Sequence, residues 1–170
     1  MRCLIIDDNP DDRSLTERII KGAGHRATSV SSGDDAVQLL GQERFDVAIV
    51  DLRLSGMTGM DTLRSLRALD PHLRLLVVSG YEDQGTILAA VEAGADGYIL
   101  KDDLPAHARH ALQEIRAGKS PFSGRVGAIL LAELKSRLRA EPAHVGKRRN
   151  RLADASGELI VARIKLGKPE

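Results

Sequence analysis

Val47-Ala48-Ile49-Val50-Asp51 is four apolar residues in a row closing on a carboxylate. So short a run, with no polar residue alternating through it, fits a strand covered on both faces, as in a parallel sheet between two layers of helices. Four further β-like runs lie outward from it: residues 3–6, 26–30, 73–78 and 97–100. Between them the apolar spacing is helical, through Leu15, Ile19 and Ile20, then Ala36, Val37 and Leu40, then Leu63, Leu66 and Leu69, then Ile87, Leu88 and Val91. Gly22, Gly24, Gly41 and Gly94 stand near the expected helix ends, where left-handed backbone is often needed. After the fifth run, Asp102 or Asp103 is expected to cap a helix with Pro105 in its first turn, burying Leu104, Ala108, Leu112 and Ile115. Strict β-α alternation implies an α/β fold, a five-stranded parallel sheet with right-handed crossovers in a flavodoxin-like (βα)5 arrangement.

Beyond residue 118 the pattern changes. Gly118-Lys119-Ser120-Pro121 reads as a turn, and Ser123 is placed to cap an extra helix through Val126, Ile129, Leu130, Leu134 and Leu138. Glu141-Pro142 should end it. The expected organisation is therefore a domain over residues 1–119, a linker helix over 120–140, and a basic tail over 141–170, poorly defined or the remnant of an output region. Charge follows this division. Residues 1–134 carry 15 Lys/Arg against 20 Asp/Glu, a balance of −5, whereas residues 135–170 carry 10 against 4, a balance of +6. A basic tail invites contact with nucleic acid or an acidic surface. Aromatic content of 2% with no tryptophan speaks against stacking on single-stranded bases. One cysteine, Cys3, excludes an intramolecular disulfide, and no apolar stretch approaches the roughly 18 residues of a membrane span, so a cytoplasmic protein without membrane attachment is expected.

In an open α/β sheet, ligands gather beyond the carboxyl ends of the strands. The first run ends in Asp7-Asp8, the third in Asp51, the fourth in Ser79, and the fifth leads into Lys101. Three carboxylates, a hydroxyl and an ammonium would thus meet at one edge. Clustered carboxylates resist full ionisation unless a cation joins them, and Mg²⁺, which takes hard oxygen ligands, suits the set. A neutralised cluster leaves Asp51 able to act as a nucleophile. Each residue alone has an ordinary structural explanation. Taken singly, Asp51 could be a turn residue, Ser79 a strand end, Lys101 a solvated lysine and Tyr98 core packing; only for Asp11 or Asp12 is the ordinary account, a helix cap, the better one. Their joint appearance at the right strand ends favours a site.

Asp7-Asp8, Asp51, Ser79 and Lys101 resemble the residue set of two-component response regulator receiver domains. Residues 54–59, Leu-Ser-Gly-Met-Thr-Gly, resemble that family's loop after the phosphoacceptor, and residues 93–102 resemble the matching stretch of NarL/FixJ-type regulators with LuxR-type output. The resemblance covers residues 1 to about 119. It implies that Asp51 accepts a phosphoryl group and that Asp8, Asp51 and the backbone carbonyl of Arg53 hold Mg²⁺, with Asp7 acting through water or steering the metal. It also implies that Lys101 contacts the phosphoryl oxygens and Ser79 the aspartyl phosphate, while Tyr98 changes rotamer as Ser79 moves, a better account of Tyr98 than core packing. Two positions depart from the family pattern. Ser55 stands where proline is usual, implying a looser loop after Asp51, and Asp102 stands where proline often follows the lysine, so no cis peptide is expected there.

A sensor histidine kinase or phosphotransfer protein is the implied partner, with homodimerisation left open. A LuxR-type helix-turn-helix needs more residues than follow Ala140, and no recognition helix is visible, so the output domain looks incomplete or truncated. The main alternative is a DNA-binding transcriptional regulator using an atypical C-terminal region. An enzyme acting on phosphoesters or nucleotides is disfavoured, because no G-x-G-x-x-G or G-x-x-x-x-G-K-[ST] cradle is present and no turnover substrate is implied. A degenerate receiver is disfavoured by the intact acid set.

Overall fold

The computed structural model describes residues 1–140. Five strands, β1 (Arg2–Ile6), β2 (Arg26–Val30), β3 (Val47–Val50), β4 (Arg74–Ser79) and β5 (Gly97–Leu100), form one parallel sheet in the order β2-β1-β3-β4-β5. The helices between them are α1 (Pro10–Gly22), α2 (Gly33–Leu40), α3 (Gly59–Leu69) and α4 (Gln84–Glu92), followed by α5 (Leu104–Arg116) and α6 (Gly124–Ala140). The flavodoxin-like (βα)5 architecture is as expected.

The continuous apolar runs are explained by two hydrophobic layers. Leu4, Ile6, Ala48, Val50, Leu75 and Val77 face one layer with α2, α3 and α4, and Cys3, Ile5, Val47, Ile49, Leu76 and Val78 face the other with α5. Alternate residues of one strand therefore enter opposite cores, each fully buried large side chain contributing about 1.5–3 kcal/mol. The central strands β1, β3 and β4 carry this load, while the edge strand β2 is only partly buried.

Local chemistry sets the helix starts. Asn9, Ser32, Thr58 and Asp83 each accept a hydrogen bond from an amide in the first turn of α1, α2, α3 and α4. The expectation that Asp11 or Asp12 caps α1 is corrected, since both of their amides donate to Asn9 Oδ1, at 2.9 and 3.3 Å. Asp102 and Asp103 do not cap α5 with their side chains either. A 3₁₀ turn, Lys101–Asp103, winds the chain directly into that helix. Gly24 and Gly94 do take positive φ at helix ends, but Gly41 is right-handed and Gly22 is still helical. Gly59 meets a tighter constraint, because a Cβ there would lie 2.4 Å from Leu52 Cα and 2.5 Å from the Asp51 carbonyl oxygen. The start of α3 is thereby pressed against the two residues that follow β3, Asp51 and Leu52.

Residues 1–130 form one compact unit, which runs past the boundary expected at 119. The reason is that residues 121–123 lie along the open edge of β5. Tyr98 N donates to the Pro121 carbonyl at 2.9 Å, Ser123 N donates to the Tyr98 carbonyl at 3.0 Å, and Phe122 bridges to Tyr98 in parallel. The segment from the end of the expected turn to the expected cap thus protects a sheet edge. Val126 is fully buried, and Ile129 and Leu130 pack on the core. Ser123 does not cap α6 through its hydroxyl, which is buried without a hydrogen-bond partner among the described residues. Leu131, Leu134 and Leu138 are exposed. The proposed tail and any output region over residues 141–170 lie outside the described residues. Among the described residues no helix is long and apolar enough to cross a membrane.

Candidate functional site

β1 and β3 are neighbours at the centre of the sheet although β2 separates them in sequence, so the crossovers diverge there and leave a crevice at their carboxyl ends. Into it project the residues that immediately follow the strands. Asp7 and Asp51 are buried polar groups, only 4% exposed, and Ser79 closes β4 at 1%. A cavity of about 200 Å³ is lined by Asp8, Asp12, Asp51, Arg53, Ser79 and Lys101 together with Asn9 and Gly80. A larger crevice of about 590 Å³ lies at the opposite end of the sheet, beside Phe45, Asp70, Arg74 and Arg116. It lacks a comparable set of reactive groups, so the smaller cavity is the better candidate.

Lys101 organises the site. Its Nζ donates to Asp51 Oδ2 at 2.8 Å, Asp7 Oδ2 at 3.0 Å and Asp12 Oδ2 at 2.7 Å. Burial opposes the charge on Lys101, but the three carboxylates together outweigh it and raise its pKa above the usual lysine value. Asp7 is pushed up, chiefly by burial and only partly offset by Lys101. The other Asp7 oxygen accepts from Asn9 N at 2.9 Å, and Asp51 Oδ1 accepts from Arg53 N at 3.2 Å. Asp8 turns a different way, with Oδ2 accepting from Ser55 N at 2.9 Å. The loop after Asp51 is thus tied to Asp8 through the Ser55 amide, a contact that proline in its place could not make. No cis peptide occurs among the described residues.

Asp12 is the residue that sequence reading misplaced. From the first turn of α1 it reaches Lys101 across 89 positions of chain, a contact that no local pattern announces. Arg53 and Tyr81 form a second unforeseen pair, the guanidinium lying 5.2 Å from the ring centroid at the mouth of the site. Tyr81 also donates its amide to Ser79 Oγ at 3.4 Å and accepts from the Tyr98 hydroxyl at 2.7 Å. Tyr98 is fully buried, and burial pushes its phenol up to about 12.

Three carboxylates, Asp7, Asp12 and Asp51, thus share one ammonium and a fourth, Asp8, lines the same cavity, an excess of negative charge that suits a hard cation. Asp8, Asp51 and Arg53 line the same cavity and offer only oxygen donors apart from the guanidinium, so the donor set fits such an ion. Among the described residues no three His, Cys, Asp or Glu side chains form a metal-holding group, and three of the site's carboxylates are turned to Lys101.

The sequence profile of the response regulator receiver domain matches residues 3–113. This chain belongs to the response regulator receiver family. The nitrate/nitrite response regulator protein homolog of Haemophilus influenzae is 32% identical over 133 residues, covering 77% of this chain and 64% of that protein. The chain therefore spans a little under two thirds of that relative. Among solved structures, a LuxR-family two-component response regulator from Aurantimonas superposes with a TM-score of 0.73 at 28% identity, covering 78% of this chain and 96% of that one. A response regulator from Burkholderia pseudomallei, solved with a phosphorylated aspartic acid, a calcium ion and citrate, has a TM-score of 0.62 at 28% identity, covering 78% of this chain and 72% of that one. The receiver domain of this chain ends, by its family match, before the segment that covers the β5 edge.

Proposed function

We propose that this receiver domain is a phosphorylation-controlled signalling module in which Asp51 is the phosphoacceptor. The observation that carries the reading is the position of Lys101 Nζ, 2.8 Å from a buried Asp51 oxygen inside a small acidic cavity. An Asp51 oxygen attacks phosphorus, the bond from phosphorus to the donor's leaving atom breaks, and the donor departs with that electron pair. Lys101 stays beside the transferred group and neutralises its oxygens, a positioning and electrostatic role. Ser79 donates its hydroxyl to the aspartyl phosphate. Asp8, Asp51 and the Arg53 carbonyl would hold Mg²⁺, with Asp7 acting through water or steering it. When bound, the ion offsets the charge developing on the phosphoryl oxygens.

Output follows from the same charge. A phosphoryl group adds about −1.5 to −2 units and three acceptors, enough to draw Lys101 and Ser79 toward it. Ser79 is tied through Tyr81 to Tyr98, so its movement loosens the Tyr98 hydroxyl and permits the rotamer change that alters the face of α4, β5 and α5. The phosphoryl source is a sensor histidine kinase or a phosphotransfer protein. The domain needs no multiple-turnover substrate, and homodimerisation or DNA contact would belong to the output step. A cytoplasmic location suits such partners.

Incubation with acetyl phosphate and Mg²⁺, followed by intact mass measurement, tests the reading. The wild-type chain should gain one phosphoryl group and Asp51→Ala none. Equal labelling of the two, or none in either, would refute it.

A further inference from the structure

Asp8 is the one carboxylate lining the cavity that belongs to the strand-end acids yet makes no contact with Lys101 among the described residues. Its main chain is fixed, since Arg13 Nη1 donates to the Asp7 and Asp8 carbonyls at 2.7 and 3.4 Å. Its side chain is held from the other direction by Ser55 N, at 2.9 Å. That amide is itself well placed. Leu54 packs on the core just before it, Gly56 follows in left-handed backbone at φ 81°, and the loop ends where Gly59 abuts Leu52. The Ser55 hydroxyl takes no part in the contact, which is made by the backbone N–H.

A hydrogen bond from a neutral amide to a carboxylate is charge-assisted and directional. It ties Asp8 to the loop following β3 and engages an oxygen that a cation beside Asp51 would also seek. We propose that the Ser55 amide is a latch on Asp8, and that a divalent cation entering the site competes with it for that carboxylate. The inference rests on the cation reading of the site. It makes Ser55 a positioning residue that lowers divalent-cation affinity and couples cation entry to the 53–58 loop. Any residue with an N–H can serve at position 55, and proline cannot.

The test is a MgCl₂ titration of the full-length protein, followed by ¹⁵N-¹H correlation NMR, for wild type, Ser55→Ala and Ser55→Pro. Ser55→Ala keeps the amide and should bind Mg²⁺ as wild type does. Ser55→Pro should bind about fivefold more tightly, the loss of one competing hydrogen bond. In wild type the Ser55 amide should exchange slowly without Mg²⁺ and shift upfield and exchange faster as the ion saturates, a readout that needs no variant to fold. Equal affinity in wild type and Ser55→Pro, equal tightening in both variants, or an unmoved Ser55 amide at saturation would each overturn the latch while leaving the cation site standing. Absence of Mg²⁺ binding in all three proteins would overturn the cation reading, and the latch with it.

Discussion

Two partly buried charge clusters sit at opposite ends of the sheet, and they are built on opposite principles. Around Lys101, three carboxylates share one ammonium and a fourth lies beside them. Around Asp96, a single carboxylate accepts from Arg67 Nη2 at 2.7 Å and Leu75 N at 2.8 Å, with Arg74 Nη1 at 3.5 Å. The surplus positive charge there is absorbed by carbonyls. Arg67 also donates to Pro71, Leu73 and Gly94, and Arg74 to Lys119. In the Asp96 cluster the carboxylate is fully engaged and fastens the start of β4 to the start of β5 and the end of α3, although Arg74 Nε is buried without a partner among the described residues. The Lys101 cluster has carboxylates in excess, and what it lacks is positive charge. Carboxylates matched by cations serve as scaffold, whereas carboxylates that outnumber their cation make a site for another one.

The sharpest break of that comparison is functional. Asp51→Asn should abolish phosphoryl labelling completely, yet leave the thermal midpoint equal or higher, because one repelling carboxylate is gone while Lys101 keeps Asp7 and Asp12. Asp96→Ala should do the reverse. Removing the sole carboxylate between two guanidiniums, with the Leu75 amide also orphaned, should cost about 3 kcal/mol in urea unfolding. Labelling of the still-folded fraction should persist. If Asp51→Asn destabilised the protein as much as Asp96→Ala, both clusters would be scaffold and the distinction would fail. A smaller effect is expected at Gly59→Ala, whose Cβ would press on Leu52 and the Asp51 carbonyl at 2.4 and 2.5 Å. Both contacts are backbone, so the strain should cost about 2 kcal/mol and displace Asp51, lowering the labelling rate as well as the midpoint.

The same contrast explains what the sequence could and could not disclose. Strands β1, β3, β4 and β5 were legible because short apolar runs alternate with helical spacing, and only boundaries slipped, β1 starting at Arg2 instead of Cys3 and β4 at Arg74 instead of Leu73. Asp7, Asp8, Asp51, Ser79 and Lys101 were legible because each directly follows or ends a strand, so topology alone delivers them to one edge. Asp12 was not, since a helix-start aspartate looks the same whether it caps the helix or faces a lysine 89 residues away. The Asp96 network was equally silent, as four of its bonds run to backbone carbonyls whose positions only the fold determines. The pairing of residues 121–123, between the expected turn at 118–121 and the expected cap at Ser123, was not legible because it depends on which edge the fifth crossover leaves open.

Tyr98 lies between the two clusters and gives the smallest and most discriminating test. Its backbone belongs to the scaffold, giving its amide to Pro121 and accepting from Ser123, while its hydroxyl reaches toward the acid end and donates to the Tyr81 carbonyl at 2.7 Å. Tyr98→Phe keeps the ring, the burial and both backbone bonds and deletes one hydrogen bond, so the unfolding free energy should fall by about 1 kcal/mol. Phosphoryl labelling should reach the same stoichiometry, because the hydroxyl touches neither Asp51 nor Lys101. What should change is the loop after β4, where Tyr81 would keep its Ser79 contact and the Arg53 stack but lose the Tyr98 bond. Amide exchange across residues 80–83 should quicken while β5 stays protected. Should labelling collapse in Tyr98→Phe with the fold intact, Tyr98 would count among the groups that build the phosphoryl site, and the boundary between scaffold and site would have to be redrawn through β5.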